Sequence, residues 1–260
     1  MVAPSRSRLR TAGSLAWSLA GFAVIIVVWQ AIVMIGKLPE VLLPGPLAVL
    51  GEIVSIHDTL IKNGLVTLRE ILIGFGLAML VGFPLAIGIA FSRPLERILY
   101  PVLVVSNAIP KVAIAPLFLI WFGFGGRTNA ILALSTAVFP VVINTALGLT
   151  EINRDLIKLG RVMGGSPLRV FWYIRLPAAL PSIFAGLKVS ITLATIGAIV
   201  GELVAGQEGL GYLAQYAAGQ LKTNYTFACI VVLSLLGVAL FYLMVYLESA
   251  VIRWRPPKVS

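Results

Sequence analysis

Apolar residues run through this chain in six long stretches, at positions 14–35, 71–91, 98–122, 128–149, 182–205 and 226–247, separated by segments that carry most of the charge. None has the strict apolar–polar alternation of a half-buried strand. Each holds about the 20 residues that a helix needs to cross about 30 Å of hydrocarbon. Lipid offers backbone amides no water to bond, so stretches of this kind satisfy them internally as helices; a barrel would show short alternating segments instead. The pattern predicts an all-α membrane protein with six transmembrane helices. Residues 14–252 form its membrane domain, residues 1–13 a basic cytosolic segment and residues 253–260 a cytosolic tail. Glycine and proline within the stretches (Gly74, Gly76, Gly82, Pro84 and Gly88) suit close helix packing and local bends.

The polar segment at residues 151–181, between the fourth and fifth stretches, has a pattern of its own. Ile152, Leu156, Leu159 and Met163 recur at helical spacing, with Arg154, Asp155, Lys158 and Arg161 on the remaining faces. Gly164 follows where a left-handed cap residue is wanted. Ser166 and Pro167 then supply an N-cap and a first-turn proline for a second short helix over 168–174, which Leu176-Pro177 is expected to stop. Such a segment is either an amphipathic linker resting on the inner leaflet or a platform for a cytosolic partner. The fixed elbow favours the platform, because a helix lying on lipid needs no Gly-Gly-Ser-Pro to set the angle of the next one. In residues 36–70, Pro44 and Pro46 precede apolar residues at helical spacing, which predicts a short helix at the outer interface.

Composition agrees with lipid as the main solvent: 59% of residues are hydrophobic, 12% are charged and the mean hydropathy is +1.01. A soluble core cannot absorb that excess. The net charge of +10 raises nucleic acid as a partner, but the basic residues are arranged for topology instead. With the N-terminus in the cytosol, one side carries Arg6, Arg8, Arg10, Arg93, Arg97, Arg154, Lys158, Arg161, Arg169, Arg175, Arg253, Arg255 and Lys258; the other carries only Lys37, Lys62, Arg69, Arg127 and Lys222. Both termini and residues 151–181 are therefore expected in the cytosol. The first stretch is span-length with no cleavage pattern after it, so it is not read as a removable signal. Trp17, Trp29, Trp121, Trp172 and Trp254 fall mostly near the predicted boundaries, as interface anchors do.

Candidate chemistry is sparse. The lone Cys229 has no disulfide partner in the chain, and His57 has no metal-ligand spacing around it. Neither paired catalytic carboxylates nor a serine with a histidine inside a span is present, which argues against an intramembrane enzyme. A charge inside the membrane costs about 2.5–3.5 kcal/mol on insertion scales, so it faces a cavity or a partner. Lys111, between Pro110 and Pro116, reads either as the cationic lining of an anion pathway or as a partner for a carbonyl freed near the prolines. Lys188, nearer the cytosolic end, reads as a snorkelling side chain. Glu202, near the outer end, reads as an external gate, a contact for an outside protein or a solvated helix end. Arg69 and Glu70 read as an interface anchor or a local pair.

The spacing Gly164, Ile174, Leu176, Pro177 resembles the cytosolic Glu-Ala-Ala loop of permease subunits of bacterial ABC importers, with Lys158, Leu159 and Gly160 standing where that loop has Glu-Ala-Ala. Arg161 or Asp155 is available to replace the missing carboxylate's charge pair. Ile109-Pro110-Lys111, Ala115-Pro116-Leu117, the run from Trp121 to Gly125, Gly201-Glu202-Leu203 and the run from Gly209 to Tyr212 are similar to the nitrate/sulfonate/taurine-type subfamily. The resemblance implies a type I ABC importer permease fold, a multi-pass protein of the bacterial cytoplasmic (inner) membrane, and no catalysis by this chain. It implies as partners a second permease copy in a homodimer, two ABC ATPase subunits and an extracytoplasmic binding protein. This chain has no Gly-x4-Gly-Lys-Ser/Thr loop, so it is expected to bind no cofactor, with ATP and magnesium held by the ATPase. The implied ATPase-coupling residues are Lys158, Arg161, Gly164, Gly165, Ser166, Pro167 and Leu168; the expected translocation pathway includes Lys111, Pro110, Pro116 and Glu202. A secondary transporter or channel working without ATP is the alternative, although the internal repeats common in secondary transporters are absent.

Overall fold

The computed structural model describes residues 6–253, with the side chains of all but residues 6–19, 22 and 154. Trp254 and most of the expected C-terminal tail lie outside the described residues, as do residues 1–5 and the side chain of Trp17. The described chain is helical throughout: α1 Arg6–Gly36, α2 Pro46–Ser55, α3 His57–Phe91, α4 Arg93–Ala108, α5 Lys111–Phe122, α6 Gly126–Thr150, α7 Arg154–Val162, α8 Pro167–Val170, a π-helical turn Phe171–Arg175, α9 Leu176–Ala205, α10 Leu210–Gly219 and α11 Thr223–Val251. Four continuous helices are long and apolar enough to cross a membrane: α3, α6, α11 and the run Pro167–Ala205 that ends in α9. In α1 the described apolar part is Ala23–Gly36.

Three expectations need correction. The stretch at 98–122 is not one straight helix but α4 and α5, bent by 98°. Ile109 sits in extended backbone (φ −69°, ψ 125°) because the following proline ring excludes the helical region, and Pro110 has no amide to carry the ladder across. The second span begins much earlier than residue 71: most of the outer segment after α2 is the first half of α3, and its Leu60, Thr67 and Glu70 are buried. Finally, Leu176-Pro177 does not stop the helix. The Leu176 amide bonds back to the Phe171 carbonyl across a wide π turn, which makes room ahead of the proline ring; Pro177 then occupies the first turn of α9, where no donor is required. The short helix predicted in residues 36–70 is present as α2, with Pro46 in its first turn.

The core sits where α6 is held between α3 and α9. Ile71, Phe75 and Ala78 from one side meet Ala133, Ala137 and Val141, and Ile183, Leu187, Ile191 and Ala194 close the other side. Glycines set the distance. A Cβ on Gly74 would fall 2.7 Å from the Ala130 carbonyl oxygen, and one on Gly197 equally close to that of Leu132, so backbone packs on backbone at both seams. Gly76, by contrast, faces open space. Phe91, Phe171 and Arg175 cluster at one end, with the guanidinium 4.7 Å from the Phe91 ring centroid; α2, α10 and the start of α6 lie at the other.

Candidate functional site

Residues 151–181 form an elbow held by its own backbone. The Asn153 side chain caps α7 by accepting from the Asp155 amide at 2.8 Å. At the far end Gly164 adopts φ +79°, a left-handed conformation that costs a residue with a Cβ, and its amide bonds to the Arg161 carbonyl at 3.0 Å. The Gly165 amide bonds to the Gly160 carbonyl at 3.0 Å. Ser166 then accepts from the Arg169 amide at 3.3 Å as N-cap of α8, with Pro167 next. Gly160 lets α7 fold against the following segment, since a Cβ there would reach the Ile174 side chain at 2.5 Å. The sequence motif's Lys158-Leu159-Gly160 thus keeps a small residue where the two helices touch.

The predicted apolar stripe is real but largely uncovered. Ile152 is buried, whereas Leu156, Leu159 and Met163 are 48%, 56% and 79% exposed. Val162, Leu168, Trp172 and Tyr173 in the same segment are exposed as well. Lys158 pairs with Asp155 at 3.4 Å with both side chains in solvent, a contact worth little by itself; Arg161 is also exposed.

Lys111, Pro110 and Pro116 all lie at or beyond the α4–α5 bend. The Lys111 ammonium donates to the Ser106 carbonyl in the last turn of α4, so it ties the two arms of the bend together. Lys188 does not snorkel outward. It forms an ion pair with Glu248 of α11 at 2.8 Å, a partner 60 residues away that no local pattern announces.

Glu202 is only 1% exposed, so it is not a solvated helix end. Its Oε1 accepts from the Thr67 hydroxyl at 2.6 Å and its Oε2 from the Gly211 amide at 2.5 Å. Thr67 in turn accepts from the Leu210 amide at 2.9 Å, and Asn63 from the Gly209 amide at 2.8 Å. The first amides of α10 are therefore satisfied by side chains of α3 and α9, an N-terminal cap assembled from two other helices. Gly209, at φ +107°, and Gly211 leave room for the carboxylate; a Cβ on Gly211 would sit 2.8 Å from Oε2. Sequence reasoning missed Asn63, Thr67 and Asn129 as members of this cluster. The one signal was the Gly-Leu-Gly run shortly after an intramembrane glutamate. Glu70, read with Arg69 as an interface anchor or a local pair, instead turns inward at 5% exposure and accepts from the Asn129 amide group at 2.9 Å, while Arg69 stays outside. Among the described residues no group of His, Cys, Asp and Glu side chains is placed to hold a metal ion.

Residues 78–253 match the family model for the binding-protein-dependent transport system inner membrane component. The chain is 36% identical over 253 residues to the riboflavin transport system permease protein of Chloroflexus aurantiacus, covering 95% of this chain and 94% of that one. It is 34% identical over 236 residues to the formylaminopyrimidine transport permease protein of Halalkalibacterium halodurans, covering 90% and 94%. The taurine transport system permease protein of Escherichia coli is 29% identical over 228 residues, covering 85% and 82%. In fold, the chain superposes on a chain of the MetNI methionine ABC transporter in an inward-facing conformation with a TM-score of 0.67 at 18% identity, over 76% of this chain and 98% of that one. The fold is that of the type I ABC importer permeases, and the chain belongs to the family of binding-protein-dependent transport system inner membrane components.

Proposed function

We propose that this chain forms the pathway for a small organic or inorganic anion, in the manner of nitrate, a sulfonate or taurine, as one of two identical copies in an importer. As a member of its family it is a non-catalytic, multi-pass inner-membrane subunit, and ATP is hydrolysed by a separate polypeptide. In this reading two ATPase subunits hold the ATP and magnesium, this chain binds no cofactor, and an extracytoplasmic binding protein delivers the solute. That relatives of this chain are named for a flavin, a pyrimidine and taurine supports leaving most of the choice of solute to the binding protein.

The observation that carries the reading is the uncovered apolar surface of the elbow: Leu156, Leu159, Val162, Met163, Leu168 and Trp172 are all exposed on a segment whose angle is fixed. Exposed apolar side chains gathered on a rigid element mark a protein interface. Lys158, Arg161, Gly164, Gly165, Ser166, Pro167 and Leu168 are assigned to ATPase coupling, the glycines, serine and proline as shapers and the others as contacts. Lys111, Pro110 and Pro116 are assigned to the pathway through the α4–α5 bend. Glu202 acts on the pathway from behind, by fixing the turn between α9 and α10. The test is ATP hydrolysis by this chain reconstituted in lipid with its ATPase, with and without liganded binding protein. Stimulation by the liganded binding protein is expected. Absence of a complex, with hydrolysis unaffected, would instead favour a transporter that works without ATP.

A further inference from the structure

At the end of the bundle opposite the elbow, two carboxyl groups meet inside the protein. Glu70 of α3 and Glu202 of α9 are both buried, and their carboxyl groups lie within hydrogen-bonding reach of each other. Glu202 uses both oxygens as acceptors, from the Thr67 hydroxyl and from the Gly211 amide. Glu70 Oε1 accepts from the Asn129 amide nitrogen, which leaves Asn129 Oδ1 on the side of Gly201. Glu70 Oε2 is buried with no donor at all. No cation answers the pair. Arg69 of α3 and Arg127 of α6 are exposed, and Glu208 in the turn after α9 adds a further negative charge. The titratable residues of α10 are only Tyr212 and Tyr216, and Lys188 of α9 is taken by Glu248. Two charged carboxylates in contact would repel strongly where neither water nor a cation offsets them, and a buried acceptor without a donor is costly in its own right.

We propose that Glu70 and Glu202 share one proton, resident on Glu70 Oε2 and donated to Glu202, and that its removal releases the start of α10. The hydrogen bonds decide which group holds it. Glu202 already accepts twice and stands at the positive N-terminal end of α10, a place suited to a carboxylate. Glu70 has one donor and one idle oxygen, and a proton there turns the idle oxygen into the donor that the pair lacks. When a base takes this proton, the O–H bond breaks and two facing carboxylates remain. Glu202 is the side that can yield, because it lies in the last turn of α9, whereas Glu70 sits inside the long helix α3. Its retreat removes the acceptor of the Gly211 amide and the partner of Thr67, which itself accepts from the Leu210 amide. The cap of α10 is therefore closed while the proton is present and open once it is lost.

The test compares wild type with Glu70→Gln in lipid nanodiscs, as the permease–ATPase complex. The amide of Glu70→Gln donates to Glu202 as the acid does but has no proton to lose, so this variant keeps the cap at every pH. At neutral pH, wild type shows the infrared band of a protonated carboxyl group, shifted in heavy water, and Glu70→Gln lacks it. Between about pH 6 and about pH 9, a range in which free carboxyls are already ionised, the wild-type band disappears. Over the same range, hydrogen exchange at Gly209, Leu210 and Gly211, corrected for its intrinsic pH dependence, rises at least about tenfold in wild type and stays level in Glu70→Gln. The proposal is overturned if wild type has no such band at neutral pH, if the band survives in Glu70→Gln, or if the two proteins exchange alike across the range.

Discussion

Lys188 and Glu248 illustrate what a single residue needs from the rest of the fold. Each is a charge inside a span, and each is tolerable because the other lies 2.8 Å away on a neighbouring helix. Removing one partner strands the other in a poor solvent for charge, at a cost of about 3 kcal/mol, whereas removing both abolishes the problem. Lys188→Met and Glu248→Met are each expected to lower the melting temperature of the purified protein, and the double variant to recover most of the loss. Additive losses in the double variant would mean that the pair contributes nothing as a pair. The sequence exposes such charges as anomalies but not their resolution. Lys188 looked free to reach the membrane surface, and Glu202 read as a gate, an outside contact or a solvated end, because their partners Glu248, Thr67 and the Gly211 amide come from distant elements.

At the scale of elements, hydropathy and cap residues were legible. The short helix α2, the Gly164 cap and the Ser166-Pro167 start all follow from residue types whose backbone preferences are local. Breaks governed by competition were not. Ile109-Pro110 bends the chain by 98°, while Leu176-Pro177 leaves the helix running, and the difference is the π turn ahead of Pro177. A proline announces a missing hydrogen bond, but only the surrounding turns decide how it is absorbed. The elbow depends on one backbone conformation above all. Gly164→Val places a β-branched residue at φ +79°, where nothing around it crowds a Cβ, so the penalty is conformational. The expected outcome is loss of substrate-stimulated ATP hydrolysis with normal membrane insertion, read by reconstituted ATPase assay and membrane fractionation. Retained stimulation would remove the elbow from the coupling surface.

For the whole molecule, the sequence carried the class and the family through ordered blocks of motif, and the structure adds how the two ends are connected. From Pro167 to Ala205 the chain is one 39-residue helical run, reaching from the elbow to the carboxylate that caps α10. At about 1.5 Å per residue that is nearly 60 Å. Over much of that length α9 is pressed against α6 with glycines at the contact, which leaves little freedom to bend in between. A displacement of the elbow therefore arrives at the outer cluster as a displacement of a rod.

The π turn at Phe171–Arg175 gives that rod a local tolerance of chain length. A π turn is an α-helix with one residue inserted, so deleting a single residue there restores an ordinary helix and leaves no visible damage. Because the wide turn itself takes up the extra residue, the rotation between the elbow and α9 would change far less than the about 100° that one α-helical residue carries. Removing Trp172, whose side chain is exposed, should give a protein that inserts, folds and keeps its elbow close to the native facing. Removing Ala178, exposed in the regular helix just beyond, turns the elbow by about 100° instead. Uptake driven by ATP would be lost in the second deletion while the first keeps much of it; equal uptake by the two would show that rotational phase is not transmitted. Across relatives, single-residue changes of length are then expected in this turn rather than along α9.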